Sequence, residues 1–169
     1  MKYRLPSYED IDILKEYVEE HYSNYERSIS ASNGMTNMNF KDWVDKINRN
    51  AEKADDEWGR YLLYLAFDDN DKLVGLLNIR YDLSEELREK YSDIGYGIRP
   101  SERRKGYATA MLKAILPYCR EIGLDKILIT CIDGNIGSER TILKNGGVYE
   151  STVYEAGANC SLKRFWITL

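Results

Sequence analysis

The segment Ile98-Arg99-Pro100-Ser101-Glu102-Arg103-Arg104-Lys105-Gly106-Tyr107-Ala108-Thr109 holds residue types suited to binding an anion: three consecutive basic side chains and a glycine, between the end of a strand and the start of a helix. The first amides of a helix have no internal partners, point along the axis and sit at the positive end of the helix dipole, so they bind phosphate oxygens. Gly106 lets the backbone approach such a ligand with no Cβ in between. On these residues alone, a solvated turn in which Gly106 only eases packing is the alternative. The segment is neither G-x-x-x-x-G-K-[ST] nor G-x-G-x-x-G, which argues against nucleotide hydrolysis and dinucleotide binding.

The elements around this turn follow from periodicity. A short strand near Tyr3 to Leu5 leads to Ser7, which can cap a helix with Asp10 three residues on, and Ile11, Leu14, Val18 and Tyr22 recur at helical spacing. Ser28 to Asn39 is a polar loop, and Phe40, Trp43, Val44 and Ile47 mark a second amphipathic helix that fades into Asp55-Asp56-Glu57. Tyr61 to Phe67 and Leu73 to Arg80 are apolar runs about a turn-rich connection, hence a hairpin. After the charged segment Ser84 to Lys90, Asp93 to Ile98 is a further strand whose Gly95 and Gly97 predict a bulge or distortion. From about Arg104 a helix runs to a cap at Gly123, with Pro117 expected to kink its last turns. Lys126 to Ile132 is a buried strand, Ile136 to Lys144 a short helix closed by Asn145-Gly146, and Val148 to Tyr154 with Leu162 to Leu169 a final hairpin. The sum is a mixed α/β domain.

The chain's 169 residues, 43% apolar and 31% charged, fit one compact domain over residues 1–169. A formal net charge of -4 gives no support to nucleic-acid binding, which needs a clustered basic surface, and accommodates a cationic partner more easily. Nothing after Met1 resembles a signal segment, and the longest apolar stretch, around Tyr61 to Phe67, is too short to cross a bilayer, so a cytoplasmic protein without a membrane partner is expected. Cys119, Cys131 and Cys160 lack paired spacing; they predict buried, inert thiols, with neither disulfides nor a metal site.

Arg103-x-x-Gly106-x-Ala108, following a strand and Pro100, resembles the acetyl-CoA pyrophosphate motif R/Q-x-x-G-x-G/A of the GNAT superfamily of N-acetyltransferases. The order of elements is similar across nearly the whole chain. Strand Ile127 to Ile132, then Asn135-x-x-Ser138 and the helix to Asn145-Gly146-Gly147, resembles the family's later motif, and the wording around Tyr96 and Arg99 to Tyr107 is similar to a bacterial branch of acetyltransferases with unassigned substrates. The resemblance implies a mostly antiparallel mixed central sheet, splayed near the fourth strand and flanked by about four helices. It implies acetyl-CoA as cosubstrate, with Arg103, Arg104, Lys105, Gly106, Tyr107, Ala108 and Thr109 on the pyrophosphate. Backbone groups near Tyr96 to Ile98, with Asn135 and Ser138, would lie along the pantetheine arm. Asn135 also reads as a turn residue and helix N-cap. Where many members carry a tyrosine that protonates the departing thiolate, this chain has Ile142; Tyr107, Tyr149 and Tyr154 are alternatives, read better as core or rim aromatics.

An attacking amine must be neutral, and an ammonium with pKa near 10.4 must first lose a proton. Asp93, at the start of the fourth strand, resembles in position a carboxylate some members use as catalytic base, with Glu150 the weaker candidate; His21 reads as a packing residue. The family's acceptor pocket would draw on Tyr17, Tyr22, Tyr25, Met35, Met38, Trp43 and Trp58, aromatic walls that suit a cation. The implied function is transfer of an acetyl group to a primary amine of a small molecule or peptide, the alternative being a noncatalytic acyl-CoA-binding regulatory module. A homodimer is left open.

Overall fold

Two apolar runs form the centre of the fold in a computed structural model that describes residues 1–53, 59–81 and 92–169. Strands β2 (Arg60–Phe67) and β3 (Leu73–Tyr81) pair antiparallel, and most residues in both are buried. Such strands read as continuous apolar runs because both sheet faces are covered. On one face Leu63, Leu65 and Leu76 pack with Leu14, Tyr17, Trp43 and Ile47 of helices α1 (Ile11–Ser23) and α2 (Phe40–Glu52). On the other, Val74, Leu77 and Ile79 pack with Met111, Leu112 and Ile115 of α3 (Tyr107–Glu121) and Ile142 of α4 (Ile136–Lys144).

Strand β1 (Lys2–Arg4) lies outside β2, and β4 (Ile94–Ile98) outside β3, giving a four-stranded antiparallel sheet in the order β1-β2-β3-β4. Strands β5 (Lys126–Ile132), β6 (Val148–Glu155) and β7 (Cys160–Thr168) form a second antiparallel sheet in the order β5-β7-β6. The split between β4 and β5 is the expected splay. No helix among the described residues is long and apolar enough to cross a membrane.

Two local expectations change. The β3–β4 register is unbroken, so Gly95 and Gly97 mark close approaches and no bulge: a Cβ on Gly97 would stand 2.6 Å from the Ser30 carbonyl oxygen, and one on Gly95 2.7 Å from Asn78 Oδ1. Helix α3 begins at Tyr107, later than about Arg104, because Arg104 (φ 63) and Gly106 (φ 87) are left-handed. It runs through Pro117 to Glu121 and is followed by the left-handed Gly123 (φ 87), in keeping with the expected cap. Trp58, the run Asp55-Asp56-Glu57 and the segment Ser84 to Lys90 lie outside the described residues.

Candidate functional site

The gap between the two sheets closes at one end. Asp93 donates its N–H to the Leu128 carbonyl (2.8 Å) while its Oδ2 accepts the Leu128 N–H (2.6 Å). Its own carbonyl accepts from Arg80 N–H of β3, so Asp93 is tied to both sheets. Ser92 Oγ adds bonds to the Leu128 carbonyl and the Thr130 N–H of β5. Beyond this junction Tyr96 still lies near Cys131, and the strands then diverge.

The ladder tells which groups face the gap. Arg80 bonds to Asp93 and Arg99 to Val74, and alternate residues of an antiparallel strand bond to the same neighbour, so Gly95 and Gly97 turn their backbone groups toward β3. Ile94, Tyr96 and Ile98 turn theirs to the other edge. There Ser92 Oγ donates to the Ile94 carbonyl and Arg103 Nε to the Ile98 carbonyl, and between them Tyr96 presents its N–H and C=O to the gap. The Tyr96 hydroxyl spans the gap to Ser138 Oγ of α4 (2.8 Å), and burial pushes its pKa up to about 12.

At the open end stands the turn into α3. The first bond within the helix runs from Ala110 N–H to the Gly106 carbonyl, so the amides of Tyr107, Ala108 and Thr109 have no acceptor within the helix. A Cβ built on Gly106 would meet nothing within 4 Å, so the space in front of these amides is open. Asn145 Nδ2 holds the Thr109 carbonyl from α4.

The three basic side chains do not play equal parts. Arg103 forms a bidentate pair with Glu26, and Lys105 donates to Glu102 (2.8 Å), which also pairs with Lys72. Among the described residues Arg104 alone of the three has no carboxylate partner. Glu20 of α1 accepts from Arg99 Nε and from the Ser101 N–H (2.7 Å), so this carboxylate and Glu26, just after α1, grip the turn on both sides of Pro100 to Glu102. Burial works against ionisation of Glu20, but the Arg99 and Ser101 bonds outweigh it and hold the pKa at about 2. Glu26 is held at about 2 chiefly by Arg103, against a smaller effect of burial.

The other candidates fall into place around this frame. Asn135 caps α4, its Oδ1 accepting the Ser138 N–H (3.1 Å), and is exposed beside the gap. Asp93 is 2% exposed, and Glu150 is occupied by Arg164 Nε and Trp166 Nε1, which lower its pKa. His21 is buried, with Nδ1 on Glu26 (2.7 Å) and Nε2 lacking a partner among the described residues; burial lowers its pKa. Ile142 lies wholly in the core under Gly147. Tyr107 is partly buried against the core, and Tyr149 and Tyr154 are exposed on β6. Of the aromatic wall, Tyr17, Met35 and Trp43 are fully buried core residues, whereas Tyr22 and Tyr25 are exposed. Cys119 and Cys131 are buried thiols, the former pushed up to about 12 by burial, but Cys160 is only partly covered. The Glu20 and Glu26 grips and the Tyr96–Ser138 bridge are missed by sequence reasoning, because each joins residues 42 to 81 positions apart with no local spacing to betray them.

The family model described as acetyltransferase (GNAT) domain matches residues 2–148. Among curated proteins, none matches the sequence. Among solved structures, a ribosomal-protein alpha-N-acetyltransferase in complex with coenzyme A is similar with a TM-score of 0.73 and 15% identity over 99% of this chain and 93% of that one. A spermidine N-acetyltransferase mutant from Vibrio cholerae is similar with a TM-score of 0.66 and 16% identity over 99% and 95%. A microcin C7 self-immunity acetyltransferase bound to acetyl-CoA and AMP gives 0.72 and 18% over 99% and 91%. At these identities the structural likeness carries the fold alone.

Proposed function

This chain belongs to the GNAT acetyltransferase family, and from that premise we propose that it is an acetyl-CoA-dependent N-acetyltransferase acting on a primary amine of a small molecule or peptide. The observation that supports this most is the set of free α3 amides at the open Gly106, placed at the mouth of a gap that leads to Tyr96. Phosphate oxygens fit those amides, with Arg104 the one of the turn's three basic residues that has no carboxylate partner among the described residues. The Tyr96 N–H and C=O fit the amides of an extended arm laid in the gap, as a missing strand would be. Asn135 and Ser138 border the same gap from α4.

Acetyl-CoA supplies a thioester. The amine nitrogen forms a bond to its carbonyl carbon, the carbon–sulfur bond breaks, the thiolate leaves and the ammonium proton must be removed. With Ile142 buried, the hydroxyl beside the departing sulfur is that of Tyr96 or its partner Ser138, and Tyr96 keeps its proton at neutral pH. Asp93 is the proposed proton acceptor at the closed end of the gap. Its burial and its Leu128 bond bar direct contact with the amine, which narrows that role to transfer through water.

The test is a panel of polyamines, amino acids, aminoglycosides and peptide N-termini, with acetyl-CoA present and free thiol detected. Amine-dependent thiol release supports the proposal. The engaged state of Asp93 favours the alternative of a noncatalytic acyl-CoA-binding module, and coenzyme A binding without release for any amine would select it.

A further inference from the structure

We infer that Glu26 is a positioning residue for coenzyme A, and that Arg103, its ion-pair partner, acts on the cofactor by holding the turn rather than by touching the pyrophosphate; the inference rests on the proposed cofactor site. Arg103 reaches the Glu26 carboxylate with both terminal nitrogens and the Ile98 carbonyl with Nε, so each nitrogen of its guanidinium already donates to a protein acceptor. Glu26 is fixed from its other side by His21 Nδ1. A guanidinium and carboxylate in bidentate contact present little net charge to a phosphate, but they hold geometry well.

What they hold is the backbone of the turn. Arg103 immediately precedes the left-handed Arg104 and Gly106, whose conformations aim the α3 amides outward. The Ile98 carbonyl is one of the two β4 carbonyls capped beside Tyr96, so the same guanidinium also sets the edge of the gap. On the Glu26 side, the following loop crosses β4 with the Ser30 carbonyl over Gly97, and Asn33 Oδ1 accepts from Asn78 Nδ2 (2.6 Å). One ion pair therefore ties the cofactor turn to the loop that follows α1.

The two possible roles of Arg103 differ in sign. If Arg103 touched the pyrophosphate, removing the Glu26 charge would free the guanidinium and tighten coenzyme A. If Arg103 positions the turn, the same change loosens coenzyme A. Calorimetric titration of the full chain with coenzyme A decides between them, using Glu26→Gln, Arg103→Gln, the double variant and the charge swap Glu26→Arg with Arg103→Glu, each checked for folding by its thermal transition. Each single variant is expected to weaken binding by about tenfold, the double variant no more than either single, and the swap to recover most of the loss. Glu26→Asp, which keeps the charge one methylene short, should fall between wild type and Glu26→Gln and serves if that variant fails to fold. Unchanged or tighter binding by the Glu26 variants, or additive losses, would overturn the inference and leave the proposed function standing. A wild-type chain that does not bind coenzyme A would sink both.

Discussion

Asp93 and Leu128 are joined twice, backbone to backbone at 2.8 Å and carboxylate to amide at 2.6 Å, and this pairing is where the two sheets meet before they part. Because the carboxylate holds a buried amide, the residue has a structural duty that can be separated from any role with protons. Asp93→Ala leaves the Leu128 N–H without that acceptor and should destabilise the fold by about 1–3 kcal/mol in urea unfolding. Asp93→Asn keeps an oxygen for Leu128 but cannot take a proton. With acetyl-CoA binding intact, its turnover at neutral pH should fall about 100-fold and recover at high pH, where the amine is already neutral. A rate equal to wild type would confine Asp93 to holding the junction.

Tyr96→Phe removes the hydroxyl that meets Ser138 across the gap and leaves the backbone groups in place. We expect kcat to drop about 10- to 100-fold with coenzyme A affinity nearly unchanged, since the loss is of a hydrogen bond to the developing thiolate. Equal losses in affinity and rate would instead make the bridge a means of shaping the gap.

Stability should depend on acid in a defined window. Glu20 and Glu26 titrate near 2 when folded and near 4.5 when free, so between these values the unfolded chain binds more protons than the native one. Their contribution is fully present above about 4.5 and is lost as pH falls toward 2, on the order of 1–2 kcal/mol each once solvent screening is allowed for. Glu20→Gln and Glu26→Gln should each flatten that part of the stability–pH curve measured by denaturant unfolding. An unchanged slope would mean that the two ion pairs contribute nothing net.

Much of this architecture was legible because its signals are local. The apolar run Lys126 to Ile132 and the helix Ile136 to Lys144 form with the bounds that periodicity and the Asn145-Gly146 stop predict. The turn into α3 was legible for the same reason, since a glycine at a helix start carries its meaning within a few residues. Gly95 and Gly97 were misread because the strand's own sequence does not reveal what passes over it, and the Ser30 carbonyl is brought there by the distant loop after α1. Tyr17, Met35 and Trp43 are buried in the core, and the sequence does not separate that place from a pocket wall because an aromatic or methionine side chain looks the same in a core as beside a ligand. The long-range carboxylate grips on Arg99 and Arg103 were illegible, because charges 77 or more positions apart leave no local pattern in the sequence.

In the proposed complex coenzyme A sits with its pyrophosphate on the amides that open onto Gly106. Calorimetry of coenzyme A with the wild-type chain and with Gly106→Glu tests it most directly, because a side chain there enters open space and puts bulk and negative charge where the phosphates would lie. The left-handed φ of 87° makes the substitution strained, by about 1–2 kcal/mol, so the variant's fold is verified by its thermal transition before titration. Saturable binding by the wild type and none by the folded variant is expected. Equal affinity in the two proteins, or no binding by the wild type, would contradict it.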